Sequence, residues 1–164
     1  MDALEAISRR TSLRKYADTP VPQHLLEQIV DAGRHAPTAR NVQPWEFVVV
    51  RDKHLLRQIG ELADYGSFIA QAPACIVVFC EETKYYLEDG CAAVENMLIA
   101  GTALELATCW VAGDKKAYAD SVRELVGAPK HLKLIALVPV GNPVGPIVPR
   151  DKRPLEDVLH WDTF

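Results

Sequence analysis

Arg10, Ser12 and Arg14 stand two residues apart in the stretch Arg9-Arg10-Thr11-Ser12-Leu13-Arg14-Lys15-Tyr16. On an extended backbone that spacing puts two guanidinium forks and a hydroxyl on one side, a set suited to a phosphate and the polar tether that carries it. Arg150 and Lys152 repeat the i, i+2 spacing near the other end of the chain, in a proline-fixed stretch, and could close on the same anion. The runs at 9–15 and 150–153 together hold seven of the 18 lysines and arginines. Taken alone, either run is also what a solvated charge cluster looks like. The loop His35-Ala36-Pro37-Thr38-Ala39-Arg40-Asn41-Val42-Gln43-Pro44 adds a third polar place. Pro37, Thr38 and Ala39 are small or stiff and let a flat molecule approach the backbone, while Asn41 and Gln43 offer amide donors and acceptors.

Other chemistries find no support in the residues. There is no GxGxxG, no Walker loop, no HExxH and no GxSxG. The five histidines, at 24, 35, 54, 131 and 160, are scattered singly, so neither a catalytic side chain nor a metal site is expected. Cys75, Cys80, Cys91 and Cys109 contain no CxxC pair, and Cys75 and Cys80 lie an odd number of residues apart on one apolar run, so a strand would turn them to opposite faces. With no leader-like opening, this cysteine usage leads us to expect a reducing cytoplasm. A net charge of −4 argues against bulk attraction to nucleic acid, so the anion site must be local.

The elements that would position these groups can be read from the apolar pattern. At 164 residues and 18.2 kDa, with 49% hydrophobic residues, the chain suits one soluble domain of mixed helix and strand spanning 1–164. Leu4 and Ile7 mark a short first helix. Pro22 opens a second, with Leu25, Leu26, Ile29 and Val30 on one stripe, ending before Pro37. Trp45 to Val50 reads as a strand buried on both faces. Asp52 caps a helix carrying Leu55, Leu56, Ile59 and Leu62, and Pro73 introduces the strand Ala74 to Cys80. Tyr85 to Ala107 reads as a long helix covered on several sides, and its Glu88, Asp89, Glu95 and Glu105 rule out a membrane span, which needs roughly 18 uncharged apolar residues. The stretch 108–112 follows as one short strand, then a helix through Val122, Leu125 and Val126 stopped by Gly127, then a strand over 132–141. Prolines at 143, 146, 149 and 154 make the remainder an extended tail that needs another surface to lie against.

In this order, RTSLRKY, APTARNVQPWEFVVV, DGCAAVENMLIAGTALELATCWV, VPVGNP and PRDKRPLEDVLHW resemble the nitroreductase family of FMN-dependent oxidoreductases, over nearly the whole chain. The resemblance implies an α+β fold, with a central, mostly antiparallel sheet flanked by helices, that forms a homodimer with an extended C-terminal tail. FMN would sit at the dimer interface. Arg10, Thr11, Ser12 and Arg14 would line its ribityl, phosphate and pyrimidine side, with Arg14 beside the negative charge of the reduced ring. Arg150 and Lys152 would add phosphate contacts, and Pro37, Thr38, Ala39 and Asn41 would come from the partner subunit. Backbone at Cys109, Trp110 and Val111 would pass near the dimethylbenzene and N5 side. NADH or NADPH would donate electrons to a small acceptor such as a nitroaromatic or a quinone, taken in turn by one pocket in ping-pong fashion. A non-catalytic flavin- or nucleotide-binding regulatory dimer, or a related flavin enzyme such as a reductive dehalogenase, are the alternatives. Members of the family commonly carry glycine where this chain has Glu105 and Ala107, which makes the backbone there less permissive. Insertions that build the substrate pocket elsewhere in the family are missing, so the acceptor stays unspecified.

Overall fold

A computed structural model describes residues 1–164. Its centre is a five-stranded antiparallel sheet made of β1 (Trp45–Val50), β2 (Ala74–Glu81), β3 (Ala107–Thr108), β4 (Val111–Ala112) and β5 (Leu132–Gly141). The order is β1-β2-β5-β3, with β4 also paired to β5. Alternation along β2 divides the interior in two. Ala74, Ile76, Val78 and Cys80 enter one core, while Cys75, Val77 and Phe79 enter the other. The two cysteines therefore face opposite sides, as their spacing required. β5 slips by one residue against β2 between Val78 and Phe79, which is why Ile135 and Ala136, adjacent in sequence, both join the first core.

Helices cover both faces. α2 (Gln23–Arg34) and α4 (Tyr86–Ala103) close the first core, with α1 (Ala3–Arg9) laid against α4. α3 (Lys53–Leu62), a 3-10 turn over Ser67–Gln71 and α5 (Ala119–Leu125) close the second. The caps follow the sequence signals: Pro22 stands at the N-cap of α2, and Asp52 accepts the Leu55 N–H at 2.9 Å to start α3. α4 buries Gly90, Ala93, Val94, Met97, Leu98 and Gly101. It stops at Ala103, short of the expected Ala107, because Glu105 turns left-handed at φ 58 and its N–H, with that of Leu106, returns to Thr102 and Gly101. No helix is long and apolar enough to cross a membrane.

Two expectations are corrected. β1 is not buried on both faces: it is an edge strand with Glu46 and Val49 exposed, since only β2 pairs with it. The strand expected over 108–112 is interrupted, giving β3 and β4 with Cys109 and Trp110 between them. Both halves keep one register against β5, and that register places Cys109 opposite Pro139, which has no N–H to offer the ladder. Large apolar side chains stand exposed on α1, through Leu4 and Ile7, and on the tail after Gly141, through Val148, Leu155 and Trp161.

Candidate functional site

The segment between α1 and α2 supplies the first wall. From Arg10 to Tyr16 it runs extended: the Leu13 N–H bonds the Thr108 carbonyl at 2.9 Å, and Tyr16 bridges to Pro143. Thr11 is turned inward, only 6% exposed, and the alternate residues Arg10, Ser12 and Arg14 face the strand interruption. Their common neighbour is Cys109. Burial pushes that thiol up, while Arg14, Ser12 and Arg10 are near enough to pull it back toward its ordinary value. Arg10 Nε also stands 3.9 Å from Glu95 Oε1 on α4, a weak and half-exposed pairing.

Arg14 opens onto a cleft of about 580 Å³, whose lining includes Phe68, Cys109, Trp110, Val111 and Tyr118. Its guanidinium lies over the Phe68 ring, 5.7 Å from the centroid, and has no carboxylate within ion-pair distance. The Tyr118 hydroxyl donates to the Ala112 carbonyl and ties α5 to β4 at the back of the cleft. A larger, more polar hollow of about 660 Å³ lies by Asp18, Arg51 and Lys53, away from the site residues read in the sequence. The cleft beside Arg14 combines flat aromatic walls, backbone released from the sheet at Cys109 and Trp110, and a cation without a counter-ion. Those groups can hold a planar, anionic molecule.

The loop from Pro37 to Asn41 is organised around a residue that the sequence did not single out. Asp89, in the first turn of α4 and 6% exposed, accepts the Thr38 hydroxyl at 2.8 Å and the Ala39 N–H at 3.3 Å. Gln43 N–H in turn donates to Thr38 Oγ1 at 3.3 Å. This clamp holds three residues with positive φ, Arg40, Asn41 and Gln43, in one turn and leaves Pro37 and Asn41 exposed. In the sequence Asp89 looked like a charge interrupting an apolar helix; with Glu88 beside it in the first turn, nothing in the sequence singled out Asp89 as the one that turns inward to hold a loop.

Not all the chosen residues come together. Arg10, Ser12 and Arg14 meet Cys109, and Arg14 shares the cleft with Cys109, Trp110 and Val111. Pro37, Thr38, Ala39 and Asn41 gather at the N-terminus of α4 and do not line the cleft. Arg150 and Lys152 are exposed on the tail, make no ion pair and do not line it either. Within one copy the site therefore has a base and a wall, and two of its three polar groups point elsewhere. Tyr65, Phe68, Lys116 and Tyr118 line the cleft without having been foreseen. They come from two separate turns that only the fold brings face to face.

Comparison with known proteins bears on the family and the fold. The Nitroreductase family model matches residues 7–66 and 63–142. The chain is similar to a provisionally named NADH dehydrogenase/NAD(P)H nitroreductase of Methanothermobacter thermautotrophicus, at 34% identity over 87% of this chain and 78% of that protein. It is similar to the FMN reductase [NAD(P)H] of Bacillus subtilis at 28% identity, over 99% of this chain and 74% of that one. A provisionally assigned nitroreductase of Desulfovibrio desulfuricans, solved in complex with FMN, superposes with a TM-score of 0.87 at 29% identity, over 100% of this chain and 98% of that one.

Proposed function

The chain belongs to the nitroreductase family, and on that footing we propose that it is an FMN-dependent oxidoreductase that passes electrons from NADH or NADPH to a nitroaromatic, quinone or similar small acceptor. The observation that carries this reading is the convergence of Arg10, Ser12 and Arg14 on the interrupted strand at Cys109 and Trp110, beside an aromatic-walled cleft. The residues fit the group. Bound FMN supplies hydride acceptance from a nicotinamide and electron delivery to an acceptor. The protein's part is to bind, orient and tune. Arg14, with no competing carboxylate, would hold positive charge at the ring's pyrimidine edge, and Ser12 would give its hydroxyl to the ribityl side, whereas Thr11 is turned inward and serves the packing of that segment. Phe68 and Trp110 would keep water from the ring's surroundings.

A second copy of the chain completes the site in this reading. Arg150 and Lys152 lie on a tail whose apolar residues have nothing to cover them in one copy, and the Asp89-held turn presents Pro37 and Asn41 outward. Both features fit a homodimer in which turn and tail reach the partner's cleft. No side chain is needed as acid, base or nucleophile, which suits thiols that burial keeps protonated: Cys80 is pushed up to about 12, and Cys75 goes higher for the same reason. One cleft can admit donor and acceptor only by turns. Steady-state rates measured over a grid of both substrates should therefore give parallel double-reciprocal lines; intersecting lines would require a ternary complex and a second pocket.

A further inference from the structure

The cleft holds two cations, and FMN binding as proposed above employs only Arg14. Lys116 is the other. Its ammonium sits 5.9 Å from the centroid of the Tyr65 ring, and Tyr65 is 83% exposed, the most open aromatic side chain in the cleft. Neighbouring Lys115 is paired with Asp114, whereas Lys116 has no carboxylate within ion-pair distance. The rim contributes one negative charge, Asp64, which lies beside Tyr118 and makes no ion pair.

Both rim residues are carried on turns that cannot easily move. The Lys116 turn is pinned to β5, because Gly113 N–H and Asp114 N–H both donate to the Ile135 carbonyl, at 3.0 and 3.3 Å. A Cβ at Gly113 would come within 2.6 Å of Leu134 Cγ, so the backbone has been brought as close to the strand as it can be. Tyr86 adds a hydrogen bond to Asp114 at 3.0 Å. On the facing turn, Gly66 packs so tightly that a Cβ would stand 2.6 Å from Ala63 Cβ and 3.4 Å from Val111 Cγ1. A cation beside an open aromatic face, both carried on tightly packed turns, describes a receptor for a flat ring with a negative substituent.

We propose that Tyr65 and Lys116 form the acceptor subsite, and that it selects an aromatic acceptor bearing a carboxylate or comparable anionic group. This rests on the flavin reading of the same cleft. The nicotinamide donor is the poorer occupant, since its reduced ring is neutral and bears a carboxamide, which gives Lys116 no negative ring substituent to hold. The test uses the FMN-loaded protein without donor, and follows binding of 4-nitrobenzoate and of its neutral methyl ester by perturbation of the flavin's visible spectrum. The acid should bind more tightly than the ester. Lys116→Gln should weaken the acid by roughly tenfold and leave the ester unchanged, and Lys116→Arg should keep the preference. Tyr65→Ala should weaken both. The proposal is overturned if Lys116→Gln leaves the acid's affinity intact, lowers acid and ester alike, or instead raises the KM for NADH or NADPH. Wild-type protein that takes up FMN but binds acid and ester equally refutes this inference alone. Wild-type protein that takes up no FMN refutes the flavin reading as well.

Discussion

Arg14 carries its charge over the Phe68 ring with no carboxylate to neutralise it, whereas Arg10 is partly engaged by Glu95. The two arginines of the i, i+2 set are thus unequal, and Arg14 is the one free to meet an anionic ring edge. Replacing it with alanine should weaken FMN binding by about ten- to a hundredfold, the worth of one charge-assisted contact, as read by fluorescence titration of the apoprotein. Cys109→Ala should leave that affinity close to wild type, because the buried thiol donates to the neighbouring Trp110 carbonyl at 3.7 Å and, in the proposed reading, the cofactor meets backbone there rather than the side chain. Unchanged affinity in Arg14→Ala, or loss of binding in Cys109→Ala, would reverse the roles given to them. Arg10, Ser12 and Arg14 were legible in the sequence because their side-selection is a local property of extended backbone. Asp89, Tyr65 and Lys116 were not, because each matters only through a partner remote in the chain: Asp89 for Thr38 and Ala39, Lys116 for Tyr65.

Among the elements, two helices end in the same motif with different residues. After α5, Gly127 takes φ 69 and sends its N–H to Glu124 while Ala128 N–H bonds Arg123. After α4, Glu105 does the same work at φ 58, with a side chain that the left-handed region disfavours. Glu105→Gly should therefore raise stability by about 1 kcal/mol, and Gly127→Ala should lower it by a similar amount, both read as shifts in the denaturant midpoint at constant slope. Equal midpoints for Glu105→Gly and wild type would mean that the turn holds no strain. The turn matters to the site because it aims β3 at the strand interruption. Long, strongly patterned elements were readable in advance: β2, β5 and α2 fall where apolar spacing and Pro22 put them. The break at Cys109 and Trp110 was not, since it arises across the sheet from Pro139, and β1 was misjudged because continuous apolar residues do not distinguish an edge strand from an inner one.

A single copy of the molecule leaves apolar side chains open at both ends of the chain. Trp161, 80% exposed, stands out from a tail that also exposes Val148 and Leu155, and α1 adds Leu4 and Ile7. Sedimentation should return twice 18.2 kDa at micromolar protein. A monomer that binds FMN with full affinity would remove any role for Thr38 and Asn41 across an interface. The most direct test of the flavin chemistry itself is anaerobic. Protein loaded with FMN, freed of excess cofactor and mixed with NADH or NADPH under strict exclusion of oxygen, should lose the flavin's visible absorption band, and a nitroaromatic or quinone should restore it. A band that persists unchanged with both nicotinamides would show that the cleft holds the flavin without using it.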